Sequence, residues 1–152
     1  MATEVGRIAD QLKRAFEGDA WHGPSVLELL ADVNAEKAAA RPIANAHNIW
    51  ELVLHVAAWT MAVRRRLEGD RAELSEEENW PLVNNASEAA WQQTIEGLKK
   101  SHRELHDVIA HLEEASLDKP IVHGMSSVYV TLHGVIQHHL YHAGQIAVLR
   151  KP

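Results

Sequence analysis

Along the chain, long stretches with apolar residues recurring every three or four positions alternate with polar connections punctuated by glycine and proline. That interval puts the apolar side chains on one stripe of an α-helix, a stripe that must be buried against another element. The first stretch, about residues 3–17, carries Val5, Ile8, Leu12, Ala15 and Phe16 and ends at Gly18. A loop with Trp21, His22, Gly23 and Pro24 follows, then a short helix that opens at Ser25 and fades by Asn34, and Pro42 marks another irregular stretch. The second long stretch opens near Asn45 or His47 and runs through Ile49, Leu52, Val56, Trp59, Val63 and Leu67 to a stop at Gly69. The third opens at Asn85 or Ser87 and carries Trp91, Ile95, Leu98, Leu105, Ile109 and Leu112 before Pro120. Ser87 can cap it, although Ala90, three positions on, denies it a full capping box. The fourth runs from about Val128 to Arg150 through Leu132, Val135, Ile136, Leu140, Ile146 and Leu149.

Strand patterns are scarce. The stretch IVHGMSSVYVTL, residues 121–132, has alternating character but no partner, and reads as a loop leading into a helix. Four amphipathic helices that must each bury one stripe predict an all-α protein, an antiparallel four-helix bundle. The connection through residues 18–44 is long enough that the first two long helices need not be neighbours. A length of 152 residues suits a single domain, 1–152, with a real core.

Composition narrows the function classes. Asp and Glu outnumber Lys and Arg by 21 to 15, a formal net charge of -6, so there is no general basic field for nucleic acid. The basic run Arg64-Arg65-Arg66 falls at a helix end, where cations complement the helix dipole. With no cysteine, disulfides, thiolate nucleophiles and Cys-ligated zinc are excluded, and any metal must be held by His, Asp or Glu. No apolar run approaches the ~18 residues that span a bilayer, so a cytoplasmic protein without a membrane partner is expected.

The candidate chemistry is histidine. On the fourth helix His138 and His142 are four residues apart, one above the other at about 6 Å, and can both point at one atom. His139 and His142, three apart, form a competing pair; the first pair shares the row of Val135, Ile146 and Leu149, the core side, which favours it only weakly, and His139, about 100° round the helix from His138, reads as peripheral. His55 interrupts the buried stripe of the second helix between Leu52 and Trp59, where an unsatisfied polar group would cost about 1–3 kcal/mol. Three imidazoles from two helices would leave part of a cation's shell open, the mark of a catalytic site. Zinc, nickel and iron(II) all accept imidazole nitrogen. Glu51 precedes His55 by four residues and can accept a proton or orient that ring; it reads equally as a solvated carboxylate near a helix N-terminus. Trp21 and His22, in their Trp-His-Gly-Pro loop, are candidates for a substrate-binding edge over a bundle end, and Trp80 is a weaker one. Gly144 would let another helix approach closely. The remaining histidines, His102 among them, read as mostly solvated.

The stretches AHNIWELVLHVAAW at 46–59 and HHLYHAGQI at 138–146, supported by AWHGPSVLELL at 20–30, resemble the DinB/YfiT-like family of metalloenzymes. The resemblance implies a four-helix bundle with a three-histidine metal centre, carried onto His55, His138 and His142. It further implies a divalent metal ion as cofactor, a small-molecule substrate, in some members a low-molecular-weight thiol such as bacillithiol or mycothiol, and a homodimer. Ala143 stands where arginine is frequent in this motif, which removes a cation beside the site. The expected function is a metal-dependent transferase or hydrolase that activates a bound thiol or water. The alternative is a non-catalytic, metal-stabilised ligand-binding module.

Overall fold

The structure is a computed structural model that describes residues 2–152. Seven α-helices are present among these residues: α1 (Glu4–Phe16), α2 (Val26–Leu30), α3 (Ala35–Ala39), α4 (Ile49–Leu67), α5 (Glu76–Asn79), α6 (Glu88–Ala110) and α7 (Val128–Leu149). The four long ones, α1, α4, α6 and α7, are the four read from the apolar periodicity, and they form the antiparallel bundle. Helix α1 packs on α6 and α7, and so does α4, which places α1 and α4 on a diagonal. The long 18–44 connection makes that arrangement possible, because it carries the chain across the bundle by way of α2 and α3.

Local chemistry sets each start. Asn48 accepts from the Glu51 N–H while the Glu51 carboxylate accepts from the Asn48 N–H, a full capping box that opens α4 one residue past the predicted region. Ser87 caps α6 through the Ala90 N–H alone, as the missing acid three positions on requires. Ser127 caps α7 in the same way. Gly69, at φ 95°, adopts the left-handed conformation just past the end of α4. Between α6 and α7 lie a 3-10 turn at Glu114–Ser116 and one isolated antiparallel bridge, Pro120 to Ser127. The 121–132 stretch is therefore a loop entering a helix.

The core consists of two apolar clusters. One joins Phe16, Leu29, Leu30, Trp50, Val53, Trp91 and Ile146; the other joins Ile8, Leu12, Leu105, Ile109, Leu132 and Val135. Two buried indoles fix the first cluster in register. Trp91 Nε1 donates to the Val33 carbonyl at 2.7 Å and Trp50 Nε1 to Thr94 Oγ1 at 3.0 Å, so neither ring buries an unpaired donor.

Several expectations are corrected here. His139 is not peripheral but wholly buried, and His102, read as solvated, is 2% exposed with its ring stacked on Phe16 at 4.0 Å. A hydrophobic stripe four residues wide hides polar intruders of this kind. A Cβ at Gly144 would meet nothing within 4 Å, so no helix approaches there and the glycine instead borders an open cavity. No helix among the described residues is long and apolar enough to cross a membrane.

Candidate metal centre

Helix α4 presents His55 and helix α7 presents His138 and His142 to a common point. His138 Nε2 lies 3.0 Å from His55 Nε2 and 3.1 Å from His142 Nε2, and the donor atoms of the three rings all fall within 4.8 Å of one another. The four-residue step on α7 does what a helix turn allows, stacking two rings over one spot, and α4 closes the third side. Imidazole nitrogens held about 2.0–2.1 Å from one divalent ion stand about 3 Å apart when the angle between them is near 90–100°. The two separations made by His138, 3.0 and 3.1 Å, match that spacing.

The proton inventory identifies what the cluster lacks. His55 Nδ1 is 2.8 Å from the Asn79 carbonyl oxygen, which only accepts, so Nδ1 carries the proton and Nε2 keeps its lone pair. His142 Nδ1 faces Gln145 Oε1 at 2.5 Å and is fixed in the same tautomer. His138 Nε2 therefore meets two lone pairs. A proton there satisfies one of them and leaves the other contact repulsive, while a proton on Nδ1 makes that buried, unpartnered atom an orphan donor. Each deficit costs about 1–3 kcal/mol. Charging the middle ring would supply a second proton, but burial first and the neighbouring His142, His55 and His139 rings next push His138 down to about 3, so it is neutral at pH 7. Burial likewise lowers His55 and His142, only partly opposed by the bonds to Asn79 and Gln145. A cation in the centre engages all three Nε2 lone pairs at once, with the His138 proton on Nδ1, and the residues fit one.

The surroundings orient the rings. Trp80 stacks on His55 at 3.8 Å on one face and on His47 at 3.6 Å on the other, forming a His47–Trp80–His55 sandwich. Asn79 holds two groups together, its carbonyl on His55 and its Oδ1 on the Trp59 indole N–H at 2.8 Å. Both residues come from the end of α5, an element that periodicity could not reveal: it is one turn long and buries nothing. Its signal was Ser75-Glu-Glu-Glu78, a serine followed three positions on by glutamate, which forms a full capping box. Trp80, read as a weaker pocket residue than Trp21, is the aromatic that covers the site.

Glu51 makes no hydrogen bond to His55. Its carboxylate caps Asn48, pairs with Arg41, and lies 3.2 Å from His47 Nδ1. Partial burial pulls this carboxyl up, but the bonds from Arg41, the Asn48 N–H and His47 outweigh it and hold it below its usual range. Trp21 is fully exposed and His22 is exposed, and neither lines the cavities bordering the cluster. One of these, about 480 Å³, is bounded by His47, Tyr141, Gly144 and Gln145; a second, about 280 Å³, reaches His138 itself.

The family model of the DinB superfamily matches residues 20–146, which include every residue of this cluster. The chain belongs to the DinB superfamily. No curated protein and no solved structure matches it. Membership agrees with the helical bundle and with a histidine trio able to bind a metal ion, and the superfamily match begins downstream of α1, the helix that contributes nothing to the trio.

Proposed function

We propose that this DinB-superfamily chain is a metal-dependent enzyme in which His55, His138 and His142 hold one divalent ion, and in which a bound thiol or water is activated against a small-molecule substrate. Zinc, nickel and iron(II) all suit three neutral imidazoles. When bound, the ion lowers the pKa of the thiol or water beside it and polarises an oxygen of the substrate. The observation that carries the reading is the convergence of three ring nitrogens with too few protons to satisfy one another.

The chain's own groups supply the rest. The Asn79 carbonyl and Gln145 fix two ring tautomers, so the lone pairs face inward without reorganisation. Glu51, held ionised, accepts from His47 Nδ1, and His47 borders the 480 Å³ cavity. In this reading Glu51 acts by orienting the His47 ring, which holds Trp80 against His55. Trp80 keeps water off one face of His55. The homodimer and the low-molecular-weight thiol belong to the same reading; sedimentation equilibrium tests the first, and turnover with thiols and electrophiles, compared with ester and amide panels, tests the second.

The decisive assay measures bound metal in untagged protein and follows turnover on those panels. One ion per chain and activity lost in His55→Ala support the proposal. Metal content near zero in both the wild type and His142→Ala ends it.

A further inference from the structure

The three arginines that end α4 have different fates. Arg64 pairs with Glu68 and Glu104, and Arg65 with Asp70. Arg66 has no carboxylate partner among the described residues. Its Nε donates to the Arg71 carbonyl at 3.0 Å and its Nη2 to the Ala72 carbonyl at 3.3 Å, while Nη1 donates to no protein group. These two bonds to the turn after α4 hold the guanidinium over the Trp59 ring, 5.4 Å from its centroid. Trp59 in turn meets His138 edge to face at 6.2 Å and is pinned by Asn79, the residue that also orients His55.

This pre-positioned, uncompensated cation lines the 280 Å³ cavity whose other walls include Thr131, Gly134 and the His138 ring. A side chain at Gly134 would find open space, so nothing fills the cavity between the guanidinium and the histidine. In a protein of net charge -6, one half-buried arginine with a free nitrogen edge, seated on an aromatic face and already paid for in conformational freedom by two backbone bonds, is built to receive an anion. One planar fork matches one carboxylate. A phosphate would call for further cations, and the neighbouring arginines are occupied by their own acids.

Building on the metal-dependent reading above, we infer that Arg66 is a specificity residue: the substrate of this site carries a carboxylate that docks on Arg66 over Trp59, with its reacting end toward the histidine trio.

The test uses the full-length, untagged, metal-free chain, with hexanoate, hexan-1-ol and hexylamine as probes. Binding is followed by the NMR signal of the Trp59 indole N–H, assigned with Trp59→Phe. Hexanoate is expected to shift that signal and to bind about tenfold more tightly than hexan-1-ol, the increment of one charge-assisted pair, with hexylamine weakest. Arg66→Gln keeps an amide nitrogen near the Arg71 carbonyl but lacks the charge, and is expected to erase the preference. Arg66→Lys is expected to keep part of it. Equal affinities for the three probes in the wild type overturn the inference without recourse to any variant, as does a preference that survives Arg66→Gln or a Trp59 signal that does not move. Because no metal is present, the two readings fail separately. A chain that binds no ion would still show the carboxylate preference, and a chain without that preference could still bind its ion.

Discussion

His138 and His139 are neighbours in sequence, yet their rings enter different interiors. The His138 ring meets His55 and His142 through Nε2 atoms 3.0 and 3.1 Å away, and the outer nitrogens of those two partners are tied to Asn79 and Gln145. The His139 ring donates Nδ1 to its own helix, at the Val135 carbonyl, and turns an unpartnered Nε2 toward the apolar side where Phe16 and His102 lie. His102 makes no hydrogen bond at either nitrogen, although Glu17 Oε1 lies 3.4 Å from its Nε2, and its ring stacks on Phe16. Burial is at least as deep in the second region. The lesson is that a buried histidine points to a ligand when its lone pair converges with others of its kind; the lone pairs of His102 and His139 meet no such cluster.

The sharpest way to break this contrast is to delete the ring common to both contacts of the trio. His138→Ala is expected to lower divalent-ion affinity by on the order of a thousandfold, one ligand's share of a binding energy of about 10–16 kcal/mol, as read by competition with a chromogenic chelator. His102→Phe is expected to leave it unchanged.

Acid separates the regions next. Burial first, then nearby His139, His106, Arg103 and Lys13, hold His102 at about 3, against 6.5 in an unfolded chain. Above pH 6.5 the ring is neutral in both states. Between pH 6.5 and 3 the unfolded chain takes up a proton that the folded one refuses, so stability falls as pH falls through that window. At pH 4 the loss is expected to be on the order of 2–3 kcal/mol from this ring, measured by urea denaturation across pH, and His102→Phe should flatten the decline. A profile identical in both proteins would show that His102 is not held neutral.

Smaller effects sharpen the role of the partners. Gln145→Leu frees the His142 tautomer and is expected to weaken metal binding about 10–100-fold with little change in melting temperature. Glu51→Gln keeps an oxygen for the capping box and loses the charge facing Arg41. It is expected to cost under about 1 kcal/mol of stability and to leave metal affinity unchanged, since Glu51 does not touch the trio. A large loss of metal in that variant would move Glu51 into the centre.

The four long helices could be read in the chain because each buries one stripe, and the trio because His138 and His142 fall on the core row of their helix while His55 interrupts an apolar stripe of another. What stayed hidden lies where periodicity has no purchase. Helix α5 is a single turn, so Asn79 and Trp80 could be placed only by the fold that returns them to α4. His102 interrupts its stripe as His55 does, and the pattern of positions is the same for both; only the neighbours across the bundle, Phe16 for one and two histidines for the other, tell them apart. Glu51 shares a helix face with His55, but a capping box one turn earlier claims its carboxylate. Trp21 and His22 sit beside a glycine and a proline that suggested a folded-over loop, and the loop stands out in solvent instead.

The most direct test of the central claim is divalent-metal stoichiometry, by elemental analysis after exhaustive dialysis, in the untagged wild type and in His55→Ala, His138→Ala, His142→Ala and His102→Phe. The account predicts one ion per chain in the wild type and in His102→Phe, and close to none in the other three. An ion-free wild type, or an ion retained equally by all five proteins, would contradict it.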